Sequence, residues 1–196
     1  MSWWVRVRML PITTIGLMTV MVLGVAGSSV ALPVPVLSGS VSFPLPVALV
    51  LPLIPVWLLV HGQGRGDAAA ECVAMRPIRR WDDTAMVVLT ALALAVGTIE
   101  SKVFDWHLGI AMGRNFAGYL GLALLIRRIA GPSTATIGVS VFPFACTSFG
   151  IGVGERPRFW AWPLHASESV IAIATVAVLF AAGLAQSTRL RSPDPH

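Results

Sequence analysis

Six long, mostly apolar stretches constrain this chain more than any other feature. They cover approximately residues 9–32, 43–60, 82–99, 108–126, 134–153 and 167–186. A helix of about 20 apolar residues crosses a hydrocarbon core of about 30 Å, so each stretch is long enough, or nearly so, to cross a bilayer. The sequence therefore predicts an all-α, polytopic membrane protein with six transmembrane helices and a single transmembrane domain over residues 1–196.

Composition excludes the main soluble alternatives. Hydrophobic residues make up 56% of the chain and charged residues only 12%, against about 25% charged residues in soluble domains. A soluble globular enzyme is excluded by the shortage of charge, and a disordered chain by the high hydrophobicity. Of the 14 basic residues, all except Lys102 are arginine. Together with the abundance of Ala, Val and Gly, this usage predicts a multi-pass protein of the plasma membrane of a high-GC bacterium.

The basic residues also predict the orientation. With the N-terminus inside, ten of them lie in cytoplasmic segments and three in outer loops, as the positive-inside rule requires. Six spans then place both termini in the cytoplasm. An alternative is that Arg6, Arg8, the apolar run and Ser29-Val30-Ala31 form a cleaved secretory signal, which would leave five spans. The run is long for a signal, and a retained first span is favoured.

Prolines in the second apolar stretch and tryptophans in the third outer loop lead to two further predictions. The second stretch contains four prolines, which predict a kinked or partly re-entrant span, and the preceding outer loop, residues 33–40, is uncharged. The third outer loop, residues 154–165, carries Trp160 and Trp162. Their spacing is typical of interfacial anchors, although they could instead line an entrance for cargo. These loops are too small to form a domain.

An arginine inside a predicted span is the most informative polar feature. Arg114 and Asn115 lie about six residues into the fourth stretch, where a charge is costly unless it is paired or reaches the interface. Glu100 and Glu168 lie at the same predicted depth. The sequence predicts either a snorkelling arginine or an intramembrane polar cluster of Glu100, Arg114, Asn115 and Glu168, facing a path or a partner helix.

Small residues recur every fourth position in the same stretch, at Gly109, Gly113, Ala117 and Gly121. Such a stripe lets another helix approach backbone to backbone. It predicts a packing helix, either inside the subunit or at a dimer interface.

The longest polar segment, residues 61–83, is predicted to be cytoplasmic. It contains a helix-forming stretch that predicts a short amphipathic helix over about 69–81. This helix could lie on the inner leaflet with its arginines on lipid phosphates. Because 23 residues exceed the length that a simple turn needs, it could instead be an adaptor that binds a cytoplasmic partner.

Motifs for catalysis and cofactor binding are absent from the sequence. There is no G-x-x-x-x-G-K-[ST], H-E-x-x-H or G-x-S-x-G. The four histidines are scattered, and the two cysteines suggest neither a disulfide framework nor a zinc site. No metal, cofactor or catalytic residue is therefore assigned. The net charge of +5 is explained by membrane flanks, and nucleic-acid binding is not expected because no basic stripe carries interleaved aromatics.

Three segments carry a resemblance to a known family: RPIRRWDD at 76–83, GRNFAGYLGLALL at 113–125 and FWAWPL at 159–164. With six spans and a charged cytoplasmic helix, the chain resembles the permease subunit of ABC-2-type transporters and small actinobacterial proteins associated with ABC ATPases. The resemblance implies that the helix in the first long cytoplasmic loop contacts the ATPase. It further implies a second permease copy or paralogue as partner. The residues matching the coupling role are Arg76, Pro77, Arg79, Arg80 and Asp82.

The leading hypothesis is thus a membrane-spanning permease subunit of an ATP-driven transporter, with the ATPase on another chain. Two alternatives remain open. One is a non-catalytic accessory subunit that packs through the small-residue stripe. The other is a small membrane enzyme at the outer leaflet, using residues among Glu100, His107, Arg114, Glu155 and His165.

Overall fold

Helices dominate the fold. A computed structural model describes residues 5, 8–37, 42–64, 78–152 and 156–188. Within these ranges the helices are α1 Leu10–Ala26, α2 Leu53–Gly64, α3 Ile78–Val103, α4 Leu108–Gly150 and α5 Val170–Thr188. Two short strands, β1 Ala31–Pro35 and β2 Ser42–Pro46, and two 3₁₀ turns, Val47–Leu49 and Trp162–Leu164, complete the described elements. The predicted all-α class is confirmed in the sense of a mostly helical chain.

Helix α4 is bent back on itself at Gly131. This residue has φ 86° and ψ 172°, a left-handed conformation that glycine adopts without steric cost, and Pro132 then starts the next turn with a φ suited to a helix. A Cβ on Gly138 would lie 3.0 Å from Ile126 Cδ1, whereas twelve residues of straight helix would separate the two by about 18 Å. We call residues 108–130 the first arm of α4 and residues 132–150 its second arm.

The segment between α1 and α2 corrects the sequence prediction. Residues 31–35 and 42–46 form an antiparallel hairpin with Pro33 opposite Pro44 and Ala31 opposite Pro46. The prolines occupy alternate positions, and because proline has no N–H the ladder bonds can only use the intervening pairs. The predicted first span is therefore too long and the second begins too early: α1 ends at Ala26 and α2 begins only at Leu53.

Other boundaries differ at the inner end. Helix α3 begins at Ile78 and runs to Val103, so residues 78–81 of the predicted 69–81 helix are the first turn of α3. Residues 69–77 lie outside the described residues. The predicted sixth span is shortened at its start, since residues 167–169 form a turn before α5.

The first arm of α4 lies at the centre of the core. Its most buried side chains include Met112, Phe116, Tyr119 and Leu120, which pack with side chains of the other helices into one main cluster. On one side α3 approaches so closely that a Cβ on Gly97 would meet the Gly109 carbonyl oxygen at less than van der Waals distance. Close packing of this kind fixes the relative positions of α3 and α4.

Two helices of the described residues are long and apolar enough to cross a membrane, Arg80–Val103 and Leu108–Gly150. Three further apolar segments fall just short of 18 residues: Leu10–Ala26, Val47–Gln63, which includes the turn before α2, and Val170–Gln186, which is the apolar part of α5. By length and composition the described part of the chain thus has two candidate spans and not the six predicted. The shortfall has a local cause for the first two stretches, because the hairpin takes up residues that were assigned to them.

The surface of the described helices is unusually apolar. Only 39% and 22% of the most apolar windows of α3 and α4 are buried inside the molecule. Large aliphatic side chains are exposed on several helices, among them Ile15 at 66%, Val88 at 57% and Val178 at 68%. Polar side chains are buried instead: Arg8, Thr13, Thr90, Glu100, Arg114, Asn115 and Thr147.

Candidate functional site

A buried arginine on α4 holds the segment that precedes α5. Arg114 is only 3% exposed. Its Nη1 donates to the carbonyl oxygens of Ala166 at 2.8 Å and Ser167 at 3.5 Å. Its Nη2 donates to those of His165 at 3.0 Å and Trp162 at 3.3 Å. The carbonyls of Trp162 and Ala166 also accept a backbone N–H within local turns. One guanidinium thereby supplements these turns and satisfies the carbonyls of His165 and Ser167.

Asn115 extends this arrangement. Its side chain is fully buried, its Nδ2 donates to the carbonyl of Pro163 at 3.3 Å, and its Oδ1 lies 3.4 Å from Arg114 Nη2. We call residues 162–167 the outer loop, after the side of the membrane that the sequence predicts for the longer loop 154–165. Its 3₁₀ turn, Trp162–Leu164, begins with a proline at an early position, which leaves one donor fewer to satisfy.

Trp162 fixes the outer loop from the apolar side. Its ring lies over Gly118, where a Cβ would overlap the indole ring. It also contacts Tyr119, with ring centroids 5.2 Å apart, and Phe142 on the second arm of α4, at 5.6 Å. Trp162 is 2% exposed, so the prediction that it is an interfacial anchor is wrong, because Gly118 leaves room for the indole inside the core.

Further hydrogen bonds connect the outer loop to its surroundings. Ser167 Oγ donates to the carbonyl of His107 at 2.5 Å. The His165 ring lies between the Arg158 carbonyl, 3.0 Å from Nε2, and Ser169 Oγ, 3.2 Å from Nδ1. Ser169 in turn accepts from the N–H of Ala172 at 3.5 Å, which caps the first turn of α5. The loop is thus held by side chains from both flanks.

The predicted polar cluster does not form in the described residues. Arg114 makes no ion pair with Glu100 or Glu168, and its partners are the carbonyl groups given above and Asn115. It does not snorkel either, because the outer loop covers it. Glu168 is exposed. Glu100 is 6% exposed, and its Oε2 is buried without a hydrogen-bond partner.

A second arginine site lies at the opposite ends of these helices, and the sequence analysis missed it. Arg8 Nη2 lies 2.9 Å from Asp82 Oδ2, and its Nη1 donates to the carbonyl of Gln63 at 2.7 Å. Arg127 Nη1 donates to Gln63 Oε1 at 2.6 Å. We call Arg8, Gln63, Asp82 and Arg127 the inner cluster. It joins the start of α1, the end of α2, the start of α3 and the first arm of α4.

The predicted ATPase-coupling residues fall partly outside the structure. Arg76 and Pro77 lie outside the described residues, and of Arg79 only the backbone, in the first turn of α3, is described. Arg80 is exposed. Asp82 is 16% exposed and paired with Arg8, so its carboxylate is engaged within the chain. A signal for this pair was present, since both charges flank apolar stretches at the same predicted depth.

The small-residue stripe contacts two different helices of the same chain. A Cβ on Gly113 would meet Ala93 O at 2.7 Å, and one on Gly109 would meet Gly97 O at 2.6 Å, both on α3. A Cβ on Gly121 would meet the backbone of Leu179 on α5 at 2.6 Å. Ala117 is buried at 4%. The four positions therefore lie in packing contacts within the subunit.

The polar side chains at the outer loop hold the backbone of the loop in place through hydrogen bonds. The Arg114 guanidinium donates to oxygen atoms of the protein at both Nη groups, and both His165 nitrogens have neighbours at hydrogen-bond distance. No group of three or more His, Cys, Asp or Glu side chains with metal-binding geometry occurs among the described residues. No protein-family model, curated protein sequence or solved structure matches the chain.

Proposed function

We propose that this chain is a polytopic membrane protein that serves as the membrane-spanning subunit of an ATP-driven transporter, with the ATPase on a separate chain. The observation that carries the membrane part is the apolar surface of the helices. Many large aliphatic side chains are exposed on them, around a core that is itself mainly hydrophobic and contains a few buried polar side chains. In water such a surface would be a large aggregation-prone patch, whereas in lipid it is the stable arrangement.

Most of the helix lengths approach those needed for six crossings. The exception is α2, whose 12 residues extend about 18 Å and which reaches 17 residues only when the turn from Val47 is included. The two arms of α4 extend about 35 and 28 Å, and a 17-residue helix such as α1 extends about 26 Å. A bilayer accommodates segments a few ångströms short of its thickness by thinning locally. The inner cluster brings together the helix ends that this topology would place on one side.

The inner cluster also supports a role in coupling. The start of α3, which follows the predicted coupling segment, is linked through Asp82 and Arg8 to α1, and through Gln63 to α2 and the first arm of α4. A displacement of α3 at this end would therefore be passed to three other helices. A transport path between subunits would need a second permease copy.

The alternative of an outer-leaflet enzyme has less support. Of its suggested residues, Arg114 and His165 are engaged with backbone and side-chain groups that hold the outer loop. A general acid or base needs a group that can exchange protons with a substrate, and these two groups have local partners already.

The membrane topology is tested by labelling single cysteines in intact cells with a membrane-impermeant maleimide. In a background of Cys72→Ser and Cys146→Ala, we expect Phe104→Cys and Phe159→Cys to react from outside and Arg80→Cys and Ile129→Cys to react only after permeabilisation. All four side chains are exposed, so each should be reachable from its own side. Reaction of Arg80→Cys from outside would overturn the topology.

The transport role is tested by purification from the native host. We expect a nucleotide-binding chain to co-purify, and the double variant Arg79→Glu, Arg80→Glu to lose it. The matched control is Arg158→Glu, an exposed charge in a predicted outer loop, which should retain it. A stable complex without any ATPase would replace the proposal with the accessory-subunit alternative.

A further inference from the structure

Glu100 is a buried acid at the contact between α3 and α4. It lies one turn before the end of α3 and is 6% exposed. The close approach of Gly97 and Gly109 hides it, since a Cβ on Gly109 would lie 3.2 Å from Glu100 Cβ. Any side chain at position 109 would therefore press on the acid.

No group within the described residues neutralises this acid. Glu100 Oε2 is buried and makes no hydrogen bond. The charged and titratable groups near this end are Lys102 and Asp105 after Glu100, His107 and Arg114 on the α4 side, and His165 and Glu168 before α5. None of them forms an ion pair or a hydrogen bond with the Glu100 carboxyl group, and Arg114 is taken up by the outer loop.

An ionised carboxylate in these surroundings would be unfavourable. Burial of a charge without a partner costs several kcal/mol in a protein interior, and the group avoids that cost by binding a proton. In membrane helices a buried ionisable group of this kind is a functional-site hypothesis in its own right. The neutral acid needs only one acceptor for its O–H, which bound water can supply.

We propose that Glu100 is a proton-binding site that holds a proton while α3 and α4 are in contact and exchanges it with the outer side when they separate. The inference rests on the membrane-spanning part of the proposed function and not on the ATPase. In a transporter it would link proton release to a movement of α3 against α4. No metal or second acid is required, since the ligand is the proton itself.

The test uses two carbodiimides on the full-length protein in lipid vesicles, with peptide mass spectrometry as the readout. Dicyclohexylcarbodiimide partitions into lipid and reacts with protonated carboxyl groups. We expect it to label Glu100 and the labelling to fall several-fold as the pH is raised, because only the protonated carboxyl group reacts and burial favours that form. Water-soluble carbodiimide should instead label the exposed Glu168, and Glu100→Gln should remove only the first signal.

The outcomes separate this inference from the proposed function. Absence of the lipid-soluble label at Glu100 overturns the proton site, whether or not an ATPase co-purifies. Labelling of Glu100 by the water-soluble reagent to the same extent as Glu168 overturns it as well.

A second measurement is the unfolding midpoint in detergent micelles, which should fall as pH rises for the wild type, because the unfolded chain releases this proton more readily than the folded one. The midpoint of Glu100→Gln should lack that contribution, and an identical pH profile for the two proteins contradicts the proposal.

Discussion

The two ends of the helix bundle each contain a buried arginine, and the two arginines are satisfied in opposite ways. At the outer loop, Arg114 donates to neutral carbonyl oxygens and to Asn115. At the inner cluster, Arg8 pairs with the carboxylate of Asp82 and donates to one carbonyl. Arg114 is 3% and Arg8 is 5% exposed, so the degree of burial does not explain the difference.

The difference follows from what each arginine holds. The outer loop is a short irregular segment whose carbonyl groups have few backbone donors, and a guanidinium with five N–H groups can satisfy several of them at once. The inner cluster joins the ends of helices, where the need is to fix separate elements to one another. A carboxylate at the start of α3 and an arginine before α1 achieve this with one directional pair. The outer arginine thus maintains a fold of the backbone, whereas the inner one links elements.

The largest expected effect is the loss of the Arg114 side chain. Arg114→Met leaves the carbonyls of His165 and Ser167 without a donor, whereas those of Trp162 and Ala166 keep a backbone N–H. Each unsatisfied buried group costs about 1–3 kcal/mol. We expect the free energy of unfolding in detergent micelles to fall by about 3 kcal/mol or more. Arg158→Met, an exposed arginine, should change it by less than about 0.5 kcal/mol. If Arg114→Met were as mild as the control, the outer loop would not depend on this guanidinium.

The next effect tests whether Trp162 is the apolar counterpart of Arg114. Gly118→Ala places a methyl group at less than van der Waals distance from the indole of Trp162, and overpacking of this kind costs about 1–3 kcal/mol. In a Trp162→Ala background the same change should be close to neutral, since the ring is gone. Unfolding of the four proteins of this double-mutant cycle measures the coupling. Equal costs of Gly118→Ala in both backgrounds would show that the ring does not lie on Gly118.

At the inner cluster the expected effect is smaller. Asp82 is 16% exposed, so water can partly hydrate it when its partner is removed, and the pair should contribute more than an exposed salt bridge but less than a fully buried one. We expect a coupling energy of about 1 kcal/mol from Arg8→Met, Asp82→Asn and the double variant. The exposed Arg80→Met is the matched control. A coupling energy above that of the outer loop would reverse the comparison.

The sequence predicted the helical class and the position of the main polar feature, but not its partners. Arg114 and Asn115 stood out because a charge inside an apolar stretch is costly. The sequence analysis proposed acidic side chains as partners of Arg114, because an opposite charge is the kind of partner that can be recognised in a sequence. The actual partners are main-chain carbonyls of residues 162–167, which every sequence contains and no composition reveals.

The hairpin was missed for a related reason. Its strands are short and apolar, so they were merged with the neighbouring apolar stretches, although Pro33, Pro35, Pro44 and Pro46 alternate. That alternation was a usable signal, because proline every second residue is incompatible with a helix interior and compatible with the outward positions of a hairpin. The inner cluster depends on tertiary contacts between residues 74 positions apart. The positions of Arg8 and Asp82 beside apolar stretches indicated a common depth, but a single sequence does not show that the two side chains meet.

The smallest expected change in stability comes from adding one negative charge to the inner cluster. Gln63 Oε1 accepts from Arg127 Nη1 at 2.6 Å in a partly buried position. Gln63→Glu keeps the shape and places a carboxylate next to the Arg127 guanidinium, at the expense of the weak contact of Gln63 Nε2 with Met86 Sδ. We expect the free energy of unfolding to rise by about 0.5 kcal/mol, as for a partly exposed ion pair, and the gain to disappear in the Arg127→Met background. Since added salt screens such a pair, the gain should shrink at high ionic strength. A loss of stability would mean that Arg127 does not compensate the added carboxylate, as at a buried site without a partner. The inner cluster and the outer loop would then differ only in the geometry of their hydrogen bonds and not in their tolerance of charge.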